Sequence, residues 1–410
     1  VAEVLGLRIV VTGLDLALGD VVRIESQRPR LAEVTAVGAR GATCLPLSDL
    51  TGLAVGDLVT STGGPLEIEV GPGLVGRVLD GLGRPVDGLG PIDGGRRVTV
   101  TATPPSALSR PVIDTQVGLG VRALDALVPC GRGQRLGIMA GSGVGKSSLL
   151  SMIARGTDAA VSVIALVGER GREVREFIEK DLGPEGMARS VVVVATSDAP
   201  AVERLRAAFV ATRIAESFRD EGQDVVLMMD SLTRVAMAQR EVGLASGEPP
   251  ATRGYPPSVF GLMPLLLERA GSAPSGSITG LYTVLVEGDD LQDPIGDTAR
   301  SILDGHVVLA RRLATAGHFP AIDVLESISR TTSSITDTHQ RAAATAMRRM
   351  LAAHRDVREL IEIGAYAPGS SPDADAAIER LPLIDAFLRQ DMDDADDLAS
   401  TWHRLAEVVA

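Results

Sequence analysis

The stretch AGSGVGKSS, residues 140–148, decides how the rest of the sequence is interpreted. It matches the phosphate-binding pattern G-x-x-x-x-G-K-[ST], except that Ala140 stands where the pattern has its opening glycine. The glycines let backbone N–H groups turn toward phosphate oxygens, while Lys146 supplies a compact charge and Ser147 a hydroxyl for Mg²⁺. The loop therefore predicts a nucleotide-binding site formed by Gly141, Ser142, Gly143, Val144, Gly145, Lys146, Ser147 and Ser148.

Length and composition limit the kind of protein. The 410 residues exceed one typical core and 45% are hydrophobic, so we expect two or three globular domains. The net charge of −13 argues against nucleic acid as the main partner, because binding to a phosphate backbone depends on basic patches. Cys44 and Cys130 stand far apart, and we find neither a signal peptide nor a run of about 20 apolar residues. We therefore expect a cytoplasmic protein with reduced thiols.

The first part of the chain, residues 1–97, reads as short strands separated by glycine-rich turns. Such runs at near-regular spacing predict a small β-barrel domain. The runs are RIVVTG, GDVVRIES, ATCLPL, GDLVTSTG, LEIEVG and GRVLDGLGRP.

Beyond this part, residues 98–340 alternate apolar runs with amphipathic helical segments. Four runs predict buried parallel strands, namely VSVIALVG (161–168), SVVVVATS (190–197), VVLMMD (225–230) and ITGLYTVLV (278–286). The pattern predicts an α/β domain with the phosphate loop after its first strand. Residues 341–410 are alanine-rich and predict a C-terminal helical domain.

Two acidic residues are candidates for Mg²⁺ binding and for catalysis of nucleotide hydrolysis. Asp230 ends the run VVLMMD, the expected position of a carboxylate that holds the Mg²⁺ water shell opposite Ser147. Glu169 follows another buried strand, where it can orient the water that attacks a γ-phosphate. Spacing alone leaves Glu169 equally well explained as a surface residue paired with an arginine. The chain contains no Asn, so the guanine-reading motif N-K-x-D is excluded.

Longer motifs resemble those of the type III protein secretion ATPases, in particular the flagellar export ATPase, which are relatives of the rotary ATP synthase subunits. The resemblance extends nearly end to end. It is carried by AGSGVGKS, GERGREV, MMDSLTRVAMAQREVGLASGEPPATRGYPPSVF, TVLVEGDDLQDPIGDTARSILDGHVVLAR and HFPAIDVLESISR. It implies a RecA-like P-loop NTPase core between the N-terminal β-barrel and the C-terminal helices.

The resemblance also implies roles for individual residues. Ala140 matches a common family form of the loop. Asp230 matches the Mg²⁺-shell acid, and Arg330 matches an arginine finger that reaches the γ-phosphate of the adjacent subunit. The catalytic residues implied are Lys146, Glu169, Arg170 and Arg330. Without the resemblance, a surface ion pair is the simpler explanation of Arg330.

Two aromatic residues are candidates for contact with the adenine ring. Phe319, in HFPAI, falls where related catalytic subunits carry an aromatic against the base, although a core aromatic is an equal alternative. Tyr366, in IGAYAPGS, is a weaker candidate from the C-terminal domain.

A chain that carries both Glu169 and Arg330 can complete every site in a ring of identical subunits, so we expect a homohexamer. The resemblance implies an Mg-dependent ATP hydrolase that energises chaperone release, unfolding and export of substrates. The alternatives are a virulence-type secretion ATPase and a subunit of a rotary ATP synthase, including a non-catalytic one, although the latter usually has Gln in place of Glu169.

The partners implied are chaperone–substrate complexes, a coiled-coil stalk protein, a regulator and the membrane export gate. The implied location is cytoplasmic and peripheral, at the inner face of the cell membrane. The sequence begins at Val1, in the expected first barrel strand. The N-terminal extension of the family, where regulator and lipid contacts are expected, would precede it.

Overall fold

The computed structural model describes residues 1–26, 28–286 and 293–410; part of the motif TVLVEGDDLQDPIGDTAR, residues 287–292, lies outside them. The chain opens with an antiparallel sheet of six strands: β1 (Glu3–Leu5), β2 (Arg8–Val11), β3 (Asp20–Glu25), β4 (Arg30–Gly38), β5 (Gly41–Pro46) and β6 (Leu58–Pro65). Their order is β1-β2-β5-β4-β3-β6. Backbone groups of Val1 bond to Gly56 and Asp57, at the entrance to β6, so the sheet curls as the barrel prediction requires.

A nine-stranded sheet forms the centre of the molecule, with β8-β14-β13-β15-β17-β12-β18-β19 as its order. All of these neighbours are parallel except β18 and β19, and the short β16 pairs antiparallel with β17. Its strands are β8 (Val78–Asp80), β12 (Arg135–Ala140), β13 (Val161–Glu169), β14 (Ser190–Thr196), β15 (Asp224–Asp230), β16 (Gly271–Ser272), β17 (Ser277–Leu285), β18 (Gly305–Leu309) and β19 (Ile322–Ser329). The four predicted parallel strands are present, each within one residue of its expected bounds.

Two runs assigned to the barrel lie elsewhere. LEIEVG forms β7 (Glu67–Val70), which pairs with β9 (Arg96–Thr99), and GRVLDGLGRP supplies β8 to the central sheet. The largely buried strand β14 would otherwise present an unpaired apolar edge, and β8 covers it. The prediction that these two runs are barrel strands was therefore wrong, and the boundary at residue 97 remains a prediction.

Helices cover both faces of the central sheet, as the α/β prediction requires. A short ribbon of β10 (Gln116–Val117) and β11 (Cys130–Gly131) precedes β12. The helices are α1 (Arg122–Leu127), α2 (Lys146–Gly156), α3 (Gly171–Glu176), α4 (Gly183–Met187), α5 (Ala201–Asp220), α6 (Leu232–Ala245), α7 (Pro257–Leu267), α8 (Pro294–Ile302), α9 (Arg311–Thr315) and α10 (Thr332–Ile335). Between α3 and α4 the chain continues as a π-helical turn, Phe177–Leu182.

Three helices form the C-terminal part, α11 (Thr338–Glu362), α12 (Pro372–Leu388) and α13 (Leu398–Val409). Each begins at a side chain that accepts from its first-turn N–H groups, Asp337, Ser371 and Asp397 respectively. Asp337 forms a full capping box with Gln340. Among the helices that the structure describes, none is long and apolar enough to cross a lipid bilayer.

A buried ion pair lies inside the central domain. Arg269, which follows α7, donates through Nε and Nη2 to both carboxylate oxygens of Glu216 on α5, each at 2.7 Å. Arg269 is 2% exposed and Glu216 1%. Its Nη1 also donates to the Val100 carbonyl, so the guanidinium bonds to both the helix and the segment after β9.

We predict that Glu216→Gln lowers the free energy of unfolding by about 3 kcal/mol, because it leaves a buried guanidinium without its counter-charge. Urea unfolding followed by circular dichroism measures this change. The matched control is Glu176→Gln, since Glu176 pairs with Arg172 on an exposed helix surface and should contribute little. Equal losses for the two variants would contradict the role given to the buried pair.

Candidate active site

The loop between β12 and α2 is shaped to receive an anion. Gly143 and Gly145 have φ of 76° and 93°, in the left-handed region that favours glycine. None of the backbone N–H groups of residues 141–148 donates to another described residue, and no side chain caps α2. These N–H groups, at a helix N-terminus, fit the phosphate groups of a nucleotide.

Lys146 joins the loop to two acidic residues from neighbouring strands. Its Nζ contacts Oδ1 of Asp230, at the end of β15, and lies 3.6 Å from Oε1 of Glu169, at the end of β13. The hydroxyl of Thr283 on β17 donates to the same Oδ1 of Asp230 at 2.8 Å. The ends of parallel strands meet at one edge of a sheet, so the structure brings Lys146, Glu169 and Asp230 together beside the loop.

The charges of this group shift its pKa values. Burial raises the pKa of Glu169 above its ordinary value, the negative charge of Asp230 and a hydrogen bond with Glu173 add to this, and Lys146 opposes it. Burial by itself would lower the pKa of Lys146, but the two carboxylates outweigh it, so the net shift is upward. The ammonium therefore stays charged in a largely enclosed site.

The residues on either side of Glu169 complete its surroundings. Gly168 has a φ of 74°, and a Cβ there would lie 3.0–3.2 Å from the side chain of Arg234, which packs against it. Arg170 points to solvent, and its Nη1 donates to Glu173 at 2.9 Å. Among the described contacts, Arg170 touches neither Lys146 nor Asp230, so the structure does not bring it into the acidic group.

Oxygen ligands suited to Mg²⁺ lie at the same place. Asp230 is 3% exposed and ends β15, while Ser147 is exposed in the first turn of α2, next to Lys146. A carboxylate and a hydroxyl are the hard oxygen donors that Mg²⁺ prefers. The donor set therefore fits the predicted Mg²⁺ position.

Phe319 lies against the phosphate loop. A Cβ added at Gly145 would be 3.6 Å from its ring, and 47% of Phe319 is exposed, so it is not a core aromatic. The Gln390 backbone N–H donates to the Phe319 carbonyl at 3.0 Å. Tyr366, by contrast, bonds through its hydroxyl to Asp375 and Ser371 within the C-terminal helices.

Arg330 lies at the opposite edge of the sheet from the loop. It follows β19, whose last residue Ser329 pairs with Gly305 at the start of β18. The end of β18, Leu309, pairs with Ala140, where the loop begins. A six-residue strand spans roughly 20 Å, so the exposed Arg330 is about that far from the loop of its own chain.

Sequence reasoning missed four residues around the site, and their signals were weak. Thr283 is one of several hydroxyl residues in its strand, so nothing in the sequence singles it out, and Glu173 was part of the quoted motif GERGREV without an assigned role. Arg234 was likewise part of the quoted motif MMDSLTRVAMAQREVGLASGEPPATRGYPPSVF without an assigned role. Gln390 carries no local pattern, because only the fold brings it to Phe319.

Comparison with known proteins places the chain in a family. Residues 120–329 match the ATP synthase alpha/beta family, nucleotide-binding domain, and residues 336–407 match the T3SS EscN ATPase C-terminal domain. The chain is 52% identical to the flagellum-specific ATP synthase of Bacillus subtilis, with 96% of this chain and 91% of the relative covered. It is 49% identical to the type 3 secretion system ATPase of Xanthomonas euvesicatoria, covering 100% and 93%.

A solved structure agrees with these matches. The assembled ATPase EscN of the enteropathogenic Escherichia coli type III secretion system, in complex with its central stalk EscO, superposes with a TM-score of 0.94. The two chains are 46% identical and cover 100% of this chain and 99% of the other. The chain therefore belongs to the ATP synthase alpha/beta family, and within it to the ATPases of flagellar and type III protein secretion.

Proposed function

We propose that this ATPase hydrolyses Mg·ATP in a homohexameric ring and energises flagellar protein export, including chaperone release and substrate unfolding. The observation that carries the proposal is the position of Lys146, whose ammonium lies between Glu169 and Asp230 beside a loop with free N–H groups. An anionic phosphate competes with these two carboxylates for the ammonium. Nucleotide binding therefore releases Glu169 and Asp230 for other roles.

In this proposal the loop residues Gly141–Ser148 hold the phosphates through their N–H groups, and Lys146 neutralises part of the phosphate charge. Ser147 and Asp230 hold the Mg²⁺, which neutralises the remaining charge when bound. The hydroxyl of Thr283 fixes the orientation of Asp230 through its 2.8 Å hydrogen bond. Phe319 covers the adenine ring, since its half-exposed ring lies beside Gly145.

Glu169 orients the attacking water and accepts its proton. Its raised pKa makes the Glu169 carboxylate a stronger base than that of an ordinary glutamate. The carboxyl group ionises once nearby positive charge offsets the effect of its burial. Arg170 supports this role indirectly, because it bonds to Glu173, which in turn shares a hydrogen bond with Glu169.

The ring follows from the position of Arg330. At roughly 20 Å from its own loop it cannot reach its own γ-phosphate, yet it is exposed and free to enter the site of a neighbouring copy. Each site then combines Glu169 of one subunit with Arg330 of the next. A closed ring of identical subunits gives every site both groups.

The proposed partners are chaperone–substrate complexes, a regulator, the membrane export gate and a coiled-coil stalk like the EscO stalk of EscN. Nucleic acid is not among them. The proposed location is cytoplasmic, at the inner face of the cell membrane. Virulence-type secretion is the second candidate, because the Xanthomonas relative is nearly as similar as the Bacillus one.

We predict that Lys146→Ala weakens Mg·ATP binding by roughly tenfold to a hundredfold, the loss expected for a charge-assisted contact. Isothermal titration calorimetry measures the affinity. Lys180→Ala is the matched control, since Lys180 is the other lysine of the chain and is 73% exposed. Unchanged affinity in Lys146→Ala would remove the loop assignment.

For Glu169→Gln we expect nucleotide binding within about threefold of wild type and a loss of turnover of at least about 100-fold, because the amide cannot accept the water proton. Phosphate release under saturating Mg·ATP measures turnover. Glu179→Gln, an exposed carboxylate beyond α3, should keep normal turnover. Near-normal hydrolysis by Glu169→Gln would exclude the proposed base.

Turnover per chain should rise steeply with protein concentration, and doping wild type with Arg330→Ala should reduce it by more than dilution, because each mutant chain disables a neighbouring site. The control dopant is Arg175→Ala, an exposed arginine beyond the site. A rate that is independent of concentration and of the Arg330 variant would mean that each chain hydrolyses ATP alone.

A further inference from the structure

Gln134, the residue before β12, is a fully buried side chain in which both ends of the amide are hydrogen-bonded. Its Oε1 accepts from the N–H of Gly131 at 2.8 Å and from the hydroxyl of Thr331 at 2.6 Å. Its Nε2 donates to the carbonyl of Asp304 at 3.1 Å and to the hydroxyl of Ser329 at 2.9 Å. An amide has two donors and two strong acceptor positions, so all four are used.

These contacts surround Arg330. Ser329 and Thr331 are its two neighbours along the chain, and both are bonded to the same amide. The Asp304 carbonyl that accepts from Gln134 also accepts from the backbone N–H of Arg330, at 3.0 Å. One buried side chain therefore restrains the residue before Arg330 and the residue after it through their hydroxyls, and the backbone opposite it through the Asp304 carbonyl.

Asp304 is itself fixed by hydrogen bonds from Arg135. Arg135, next to Gln134, donates from its Nε to the Asp304 carboxylate at 3.0 Å, and its backbone N–H donates to the same oxygen at 3.1 Å. Arg135 is also the first residue of β12, whose last residue opens the phosphate loop. The support of Arg330 thus belongs to the rigid centre of the sheet.

The side chain of Arg330 is, in contrast, exposed, and its described contact is a long one, from Nη2 to the Arg300 carbonyl at 3.5 Å. A flexible side chain reaches a defined point only if its backbone is fixed, and an error of about 1 Å in a reacting geometry can reduce the rate by a factor of the order of 100.

We propose that Gln134 is the positioning residue of Arg330: it aims the guanidinium at the nucleotide of the neighbouring subunit and takes no part in the nucleotide site of its own chain. The inference rests on the proposed role of Arg330 as a finger between subunits. It assigns to Gln134 a function that is exerted in a different chain from the one that contains it.

The test uses Gln134→Met in the full chain, which keeps the length of the side chain and removes all four hydrogen bonds. We expect turnover to fall by about tenfold to a hundredfold, with Mg·ATP affinity within about twofold of wild type. Gln116→Met is the matched control, because Gln116 also bonds through both ends of its amide, to Asp125 and Trp402, away from Arg330. It should keep normal turnover.

Mixing experiments identify the chain in which Gln134 acts. Glu169→Gln has an inactive site and an intact Arg330, so mixed rings should restore turnover to Gln134→Met, as they should to Arg330→Ala. Restoration means that the sites of the Gln134 variant are intact and that only its finger is misplaced. No restoration, with restoration of Arg330→Ala, would show that Gln134 acts on its own site and would overturn the inference.

A gentler pair keeps the test valid if Gln134→Met does not fold. Thr331→Val removes one bond to Gln134 and should lower turnover severalfold with unchanged nucleotide affinity, whereas Thr331→Ser should restore it. Full turnover in Thr331→Val, with turnover lost in Arg330→Ala, would overturn the inference alone. Full turnover in Arg330→Ala would instead overturn the proposed finger.

Discussion

The contact of the Lys146 ammonium with the carboxylates of Glu169 and Asp230 is the interaction on which the site depends. It joins the phosphate loop to the ends of β13 and β15, so three separate parts of the chain meet at one charge. Burial, together with the negative charge of Asp230, raises the pKa of Glu169 against the opposing charge of Lys146. The two carboxylates raise the pKa of Lys146 against the effect of burial. In this arrangement the Lys146 ammonium can exchange a carboxylate partner for a phosphate.

Strand β12 connects the phosphate loop to the residues that surround Arg330. The phosphate loop follows its last residue, Ala140, whereas Gln134 and Arg135 at its first end hold the backbone around Arg330. The strand is parallel to both neighbours and buried, so its two ends keep a fixed separation. One chain therefore presents a nucleotide site at one edge of the sheet and an exposed arginine at the other. Two different surfaces that meet between copies form a head-to-tail contact, and such contacts close into a ring.

The C-terminal helices are connected to the site through a few buried polar contacts. Gln390, after α12, accepts from the Arg122 N–H through Oε1, and its own backbone N–H donates to the carbonyl of Phe319. The Arg122 guanidinium in turn donates to the carbonyl of Phe387 and pairs with Asp396. The loop after α12 is thus fixed to the start of α1, and Phe319 with it.

The sequence by itself determined the α/β class, the phosphate loop and the place of Asp230 at the end of a buried strand, because each depends on local periodicity or on a short motif. Spacing left Glu169 open to a surface role and Phe319 open to a core role, and only the family resemblance favoured a catalytic role for Glu169 and an adenine contact for Phe319. Residue spacing along one chain cannot report which strands pair, so β7 and β8 were wrongly assigned to the barrel. Only the tertiary structure put Arg330 far from its own loop and Gln134 beside it, because pairing between distant strands, rather than any local preference, decides which residues meet at each edge of the sheet.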